Sequence, residues 1–447
     1  TDDAFDTHGF MKLNSQNSLE GFLYESNQVG DDGIGIYDCI IDAMGNVYFF
    51  MFLSGDLEQV TFGGHQFNRV INEGVFQFIV AKFSNEGQYL WSRQFNMAMV
   101  GAQNSIGFDG DGNVVIPIEL SGSQEFYFSN WDPETQTIEC VEGYTKSHRL
   151  IRISSEDGSY ISNANLSAAF DVAPEDANNA QGLVVVRSPE NMLVLKLRQH
   201  IDYYQHEKLL IETFNNGAST FELHTEQGTT TLAIVKNHID NTYYRVYSDS
   251  ENQSCIDQFD GTLSNVLNEG RFSAGDILHN IPVVDNVGNV VFNTSWIINR
   301  DDEQGTHYNG QSLYVDGWGG SYTERFIYLN SDLTFKTQKV LGYDDSHKNL
   351  GQILYTPDLD LIRCLGNSFF ARHFDAVGCY TPDYYGEIML FSFDNSAIAP
   401  TELTLSDKTD FTIDAGNSKD FSVAFDNESL VIRWLVNDNE VSTTPAY

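Results

Sequence analysis

Asp42-Ala43-Met44-Gly45-Asn46-Val47 opens onto Tyr48-Phe49-Phe50-Met51, and the same core, Asp-x-x-Gly-Asn-Val, returns twice. It reads Asp109-Gly110-Asp111-Gly112-Asn113-Val114 before Val115-Ile116-Pro117-Ile118, and Asp285-Asn286-Val287-Gly288-Asn289-Val290 before Val291-Phe292-Asn293-Thr294. Asp and Asn suit tight turns because their side chains bond nearby backbone groups, and Gly because it accepts a positive φ. The β-branched and aromatic residues after each turn favour strands. A turn followed by a strand, repeated at long intervals, predicts a repeat architecture built from hairpins.

A second hairpin follows the first. Its clearest copy is Phe78-Ile79-Val80-Ala81-Lys82-Phe83, a turn at Ser84-Asn85-Glu86-Gly87, then Tyr89-Leu90-Trp91. Others run over 10–19, 150–160, 326–335 and 388–398, bending at Asn, Asp, Ser or Gly. The two hairpins together make four strands in about 60 residues, the content of a β-propeller blade. Units drawn this way are 35–96, 104–166, 279–341 and 348–403. Between 167 and 278 the pattern weakens. There 182–187 and 192–197 read as one inner hairpin, and 221–224, 231–235 and 243–247 as strands of another unit, so two degenerate blades fill the stretch. Residues 8–27 carry only the second hairpin, which leaves ring closure to supply the missing strands and protect the open edge. The expected fold is all-β: a β-propeller over 1–403 with six or seven four-stranded blades, seven being favoured.

The chain has 447 residues, too many for one ordinary compact domain unless repeats extend the core. Its 22 Tyr and 31 Phe suit strands. No apolar run approaches the ~20 residues that span a bilayer. The net charge of -39 is spread along the chain, which argues against nucleic acid and anionic membrane surfaces as partners. Cys39, Cys140, Cys255, Cys364 and Cys379 form no Cys-x-x-Cys pair, a poor match to a zinc or dithiol motif. Cys364 and Cys379 are spaced to close one loop in an oxidising compartment, and Cys39 reads as a small core residue. A chain that starts at Thr1 rather than Met is expected to be a processed or trimmed product.

Residues 404–447 break the four-strand pattern. The stretches 403–413 and 419–425 alternate as strands, and Leu430-Val431-Ile432-Arg433-Trp434-Leu435-Val436 leads into an Asn437-Asp438 turn. A Trp on a short strand suggests the start of an immunoglobulin-like β-sandwich, cut before such a domain is complete. The expectation is a fragment of a longer multidomain protein.

The repeat resembles the bacterial seven-bladed β-propeller repeat of large secreted and surface proteins. The residues that carry the resemblance are Asp42 to Tyr48, Ser54-Gly55, Thr61-Phe62-Gly63-Gly64, and Phe78 through Trp91. It spans 35–96 in full and 104–166 and 279–341 in part. The tail is similar to the beginning of a PKD or related immunoglobulin-like module, on Trp434 and Asn437-Asp438-Asn439. The resemblance implies an extracellular, multidomain setting and names no catalytic residue, since one fold hosts enzymes and binders alike.

Asp109, Asp111 and Asn113 have the alternate spacing of a calcium ladder, but Val114 and Leu120 stand where an EF-type loop needs glycine and a carboxylate. The competing reading has Asp capping the turn. Asp31-Asp32, Asp301-Asp302-Glu303 and Asp344-Asp345 are acidic loops that suit a surface cation, with calcium as the ion and no cofactor required. His206-Glu207-Lys208-Leu209-Leu210 begins like a metalloprotease motif and lacks the second His. The long connections 122–147, 299–322 and 370–386 hold Trp131, Tyr308, Trp318, Tyr384 and Tyr385, aromatics suited to stacking on sugar rings or docking on a protein. The bland alternative is that they pack their own loops.

The favoured expectation is a non-enzymatic binding or display module, secreted or on a cell surface, that takes a protein or glycan partner. A polysaccharide-active hydrolase or lyase with its site at the channel mouth, and an architectural spacer or filament subunit, are the competing expectations.

Overall fold

A computed structural model describes residues 9–13, 19–26, 34–53, 59–68, 77–96, 105–121, 124–125, 137–138, 146–166, 169–170, 180–190, 192–201, 204–215, 218–227, 229–251, 253–272, 281–297, 307–312, 322–344, 349–368, 372–374, 379–381, 387–395, 404–405, 423–424, 434–436 and 439–442. Among them the chain is nearly all-β. Six four-stranded sheets and one three-stranded sheet, all antiparallel, follow one another along the chain.

The first sheet joins Gly9–Leu13 and Leu19–Ser26 to Gln59–Phe62 and His65–Asn68. The second is Ile34–Ile41, Val47–Leu53, Gln77–Phe83 and Tyr89–Asn96. The third is Gly107–Phe108, Val114–Ser121, Lys146–Ile153 and Tyr160–Asn165. The fourth is Ala180–Val186, Met192–Ile201, Tyr204–Asn215 and Ala218–Gln227, and the fifth is Thr230–Asn237, Thr242–Ser248, Ser254–Phe259 and Val266–Arg271. The sixth is Val283–Val284, Val290–Ile297, Tyr322–Leu329 and Phe335–Asp344. The seventh is Asn349–Thr356, Leu361–Ser368 and Glu387–Asp394. From the second sheet onward, each is a meander whose strands pair in chain order.

The described residues divide into two compact units, Thr1–Asp276 with Thr306–Ser312, and Ile277–Gly305 with Leu313–Tyr447. In the first unit the sheets stack face on face. Strand residues alternate sides, so a run apolar at every position is buried on both faces. In Val47–Leu53 the residues Tyr48 and Phe50 point into a core shared with Ile116, Ile118, Ile151 and Ile153 of the third sheet. Val47, Phe49, Met51 and Leu53 point the other way, onto Val60, Phe62 and Phe67 of the first sheet. Val115 and Leu150 repeat this against Leu193, Leu195 and Leu197 of the fourth, and Met192, Val194, Leu209 and Ile211 against Ile234 and Tyr243 of the fifth.

The first strands of successive sheets are also stitched together. The Asp38 carboxylate accepts the Ile106 N–H at 3.1 Å, the Ser105 hydroxyl takes the Val185 N–H at 2.7 Å, and the Arg187 carbonyl takes the Ile234 N–H at 2.9 Å.

Two expectations are corrected. The described partners of the hairpin in 9–26 come from the connection between the second and third strands of the second sheet: Glu25 pairs with Phe62 and Ser26 with Thr61. Ring closure is not needed to supply those strands. The stretch 167–278 holds two regular meanders, and Ala218–Gln227 closes the fourth sheet rather than joining Thr230–Asn237. Strands of 12 and 10 residues stand where the repeat looked degenerate. In the tail, Thr404–Leu405 pairs with Val423–Ala424, and Trp434–Val436 with Asn439–Ser442.

Candidate functional site

The repeated Asp is the hub of its own turn. Asp109 Oδ1 accepts the N–H groups of Asp111 and Asn113 at 3.0 and 2.9 Å, while Oδ2 takes Asn113 Nδ2 at 3.3 Å. Asp42 does the same with Met44 and Asn46, and Asp285 with Val287 and Asn289. Gly45, Gly112 and Gly288 close the loops at φ of 79°, 76° and 87°. The motif is therefore a hairpin turn in which the repeated Asp, Gly and Asn each have a bond or a dihedral to satisfy, as the capping alternative requires. At the calcium candidates Asp109 and Asp111, the Asp109 charge is already answered by Arg152 Nε at 3.2 Å, and Asp111 is exposed. Among the described residues no group of three or more His, Cys, Asp or Glu side chains is placed to hold a metal.

Around the turns lie polar junctions. Lys82, from the third strand, sits 3.9 Å from Asp42 and donates to the Ser155 carbonyl of the third sheet at 2.8 Å. Trp91 Nε1 donates to the same carbonyl, and Arg93 Nε to the Gly158 carbonyl at 2.9 Å. Arg152 Nε lies 3.2 Å from Asp109, and its Nη2 lies 3.7 Å from Glu212 of the fourth sheet. These bonds tie one sheet to the next.

A larger polar seam runs between the fourth and fifth sheets. Glu207, 1% exposed, takes the Thr231 N–H at 2.7 Å and faces Arg245 at 3.7 Å. Lys196 donates to the Thr231 carbonyl at 2.6 Å, and burial holds its ammonium pKa down at about 8 despite Glu207. Arg245 lies over the Tyr247 ring, 4.5 Å from its centroid, and Tyr247 hydrogen-bonds Asp257. Burial raises the Asp257 carboxyl and pushes the Cys255 thiol up to about 11. Clustered perturbed groups mark functional sites and structural networks alike. Here the acids and bases sit inside the sheet-to-sheet contact, on the second and third strands of the two sheets. The half-motif at His206-Glu207 is spent in this seam, through Glu207.

Of the aromatics singled out by sequence, Tyr308 is the one described, and it is corrected: its ring is 1% exposed and packs on Phe272 with centroids 4.8 Å apart. The ribbon His307–Tyr308 with Gln311–Ser312 is held to the fifth sheet by Asn309, whose N–H reaches the Arg271 carbonyl at 2.9 Å. A Cβ on Gly270 would lie 2.3 Å from the Tyr308 hydroxyl, so that glycine makes room for the ring. Tyr308 therefore packs its own connection. Trp131, Trp318, Tyr384, Tyr385, Asp301 and Asp302 lie outside the described residues, as do Asp31, Asp32 and the side chains of Cys364 and Cys379.

In an antiparallel meander the first and third turns share one end, and the second connection leaves from the other. The Asp turns thus occupy one end of the second, third and sixth sheets. The long connections 54–76, 122–145, 298–321 and 369–386 emerge from the opposite end of the second, third, sixth and seventh sheets.

Comparison with known proteins finds no family model and no curated sequence that matches. Among solved structures, the chain is similar to a candidate 6-phosphogluconolactonase of Bacteroides fragilis, with 10% identity, a TM-score of 0.38, and 87% of this chain and 98% of that one covered. It is also similar to the Trypanosoma rangeli sialidase in complex with 2,3-difluorosialic acid, at 9% identity and a TM-score of 0.39. There the alignment covers 87% of this chain and 58% of the sialidase. At this level of similarity neither substrate nor reaction carries over.

Proposed function

We propose that the chain is a non-enzymatic binding or display module, that its sheets are the blades of one seven-bladed β-propeller, and that 404–447 begin an immunoglobulin-like module. The setting proposed is a secreted or cell-surface multidomain protein, and the partner a glycan or a protein.

The observation that carries this reading is the division of labour within the second, third and sixth sheets. The repeated carboxylates, the glycines and the basic residues beside them hold turns and join sheets at one end. The connections of unrelated sequence leave from the other end, and they contain Trp131, Trp318, Tyr384 and Tyr385. Rigid scaffolds place recognition on such connections. Seven sheets in sequence, with first strands stitched to one another in the first unit, support the propeller. The strongly negative charge supports a partner other than nucleic acid.

The test is a panel of neutral and acidic polysaccharides and cell-surface proteins, assayed for retention of the chain and for released product. Retention without product is expected. Release of reducing ends or unsaturated sugars would overturn the non-enzymatic reading.

A further inference from the structure

In two copies of the repeated turn a basic side chain answers the turn carboxylate. Lys82 pairs across the strands with Tyr48, and Arg152 with Val115, each one residue from the end of the third strand. In the third copy that register position, opposite Val291, holds Tyr328. That position carries no cation, and a second carboxylate has been added beside the turn.

Asp360 comes from the first turn of the seventh sheet, and it shares the Asn395 Nδ2 group with Asp285, at 3.1 and 3.2 Å. Asp285 Oδ2 also takes Asn289 Nδ2 at 2.6 Å, and Asp360 Oδ1 takes the Tyr355 hydroxyl at 2.6 Å. The nearby Lys336 Nζ is bonded to Asn289 Oδ1 at 3.0 Å. One neutral amide thus stands between two carboxylates, of which Asp285 is 3% exposed. Asn395 Oδ1 and the Tyr328 hydroxyl are both enclosed without a hydrogen-bond partner, on residues 9% and 3% exposed. An enclosed polar atom left unpaired costs about 1–3 kcal/mol. The Tyr328 hydroxyl lies beside the Asp285 and Asp360 charges.

We propose that this junction is a cation site: a hard divalent ion, calcium by preference, bound between the Asp285 and Asp360 carboxylates and the Asn395 amide oxygen. Half a turn of the Asn395 amide exchanges Nδ2 for Oδ1 and presents an oxygen to both carboxylates. Calcium accepts irregular sets of carboxylate, amide and water oxygens, whereas magnesium demands a near-octahedral shell. The Tyr328 hydroxyl then donates to a carboxylate lone pair or to a water on the ion. The bound ion takes the role that Lys82 and Arg152 play in the other copies.

The test uses the full chain, calcium in thermal unfolding, and terbium as a luminescent stand-in excited through tyrosine. Calcium is expected to raise the Tm saturably and to displace tyrosine-sensitised terbium emission. Asp360→Asn keeps the shape and tolerates the backbone at φ 49°, and is expected to weaken binding at least about tenfold. Tyr328→Lys restores the internal cation and is expected to abolish the calcium response. A wild-type chain with no calcium-dependent Tm shift would overturn the proposal. So would either variant binding as tightly as wild type, which would place the ion at another acidic loop. If Tyr328→Lys does not fold, Asp360→Asn decides.

Discussion

At the residue scale, single side chains in the repeat are explained by one bond or one dihedral. Gly112 has φ 76° and open space where a Cβ would go, so Gly112→Ala tests the dihedral alone. It is expected to cost about 1–2 kcal/mol in urea unfolding. Asp109→Ala strands two backbone N–H groups, Asn113 Nδ2 and Arg152, and is expected to cost about 2–4 kcal/mol. Leu263 and Leu333 take the glycine position of equivalent turns at φ 58° and 62°. Both are buried, at 8% and 2% exposed, and that burial offsets the strain. Lys196 makes a pH prediction. Its pKa falls from 10.5 to about 8 on folding, so between those values the unfolded chain binds more protons and stability rises with pH. Below about pH 8 the full burial penalty applies. Lys196→Met is expected to lack this rise, a difference of order 2–3 kcal/mol read from denaturation at pH 8 and 10.5.

Elements owe their form to neighbours as much as to their own sequence. The Asp-x-x-Gly-Asn-Val turns were legible because every partner lies within four residues, and Val47–Leu53 because its apolar run can only be a strand buried on both faces. The fifth sheet was harder to divide. Its turn at Asp260 uses the same carboxylate device, taking the N–H groups of Thr262 and Ser264, but carries Leu263 in place of glycine. The signature is absent while the geometry remains. The ribbon 59–68, enclosed in the unit drawn over 35–96, pairs instead with Leu19–Ser26, which is distant in the chain and which no local pattern specifies. Phe67, in this connection, is 1% exposed within the core against Phe49 and Phe83. Phe67→Ala is expected to cost about 3–5 kcal/mol, as much as a residue of a central strand, and calorimetry would check it. A cost below 1 kcal/mol would mean that the ribbon is not integral to the sheet.

For the whole molecule, the acidic composition pointed toward surface chemistry, and the structure redirects it. Several acids are committed inside: Asp42, Asp109 and Asp285 to turns, Glu207 and Asp257 to the seam, Asp38 to the stitching of first strands. The turn commitments were readable from the chain, whereas those of Glu207, Asp257 and Asp38 were not, because each partner arrives from another strand or another sheet. Tyr308 taught the same lesson among the aromatics, since position in a long connection did not make it exposed. What topology adds is an address: the connections with Trp131 and Trp318 leave from the end of their sheets opposite the Asp turns. The measurement that tests this most directly is a binding titration on the glycan or protein retained in the screen. It compares wild type, the Trp131→Ala/Trp318→Ala double variant and Gly112→Ala. The double variant is expected to keep its Tm and lose binding at least about tenfold, while Gly112→Ala loses Tm and keeps binding. Unchanged binding by a folded double variant would contradict the account.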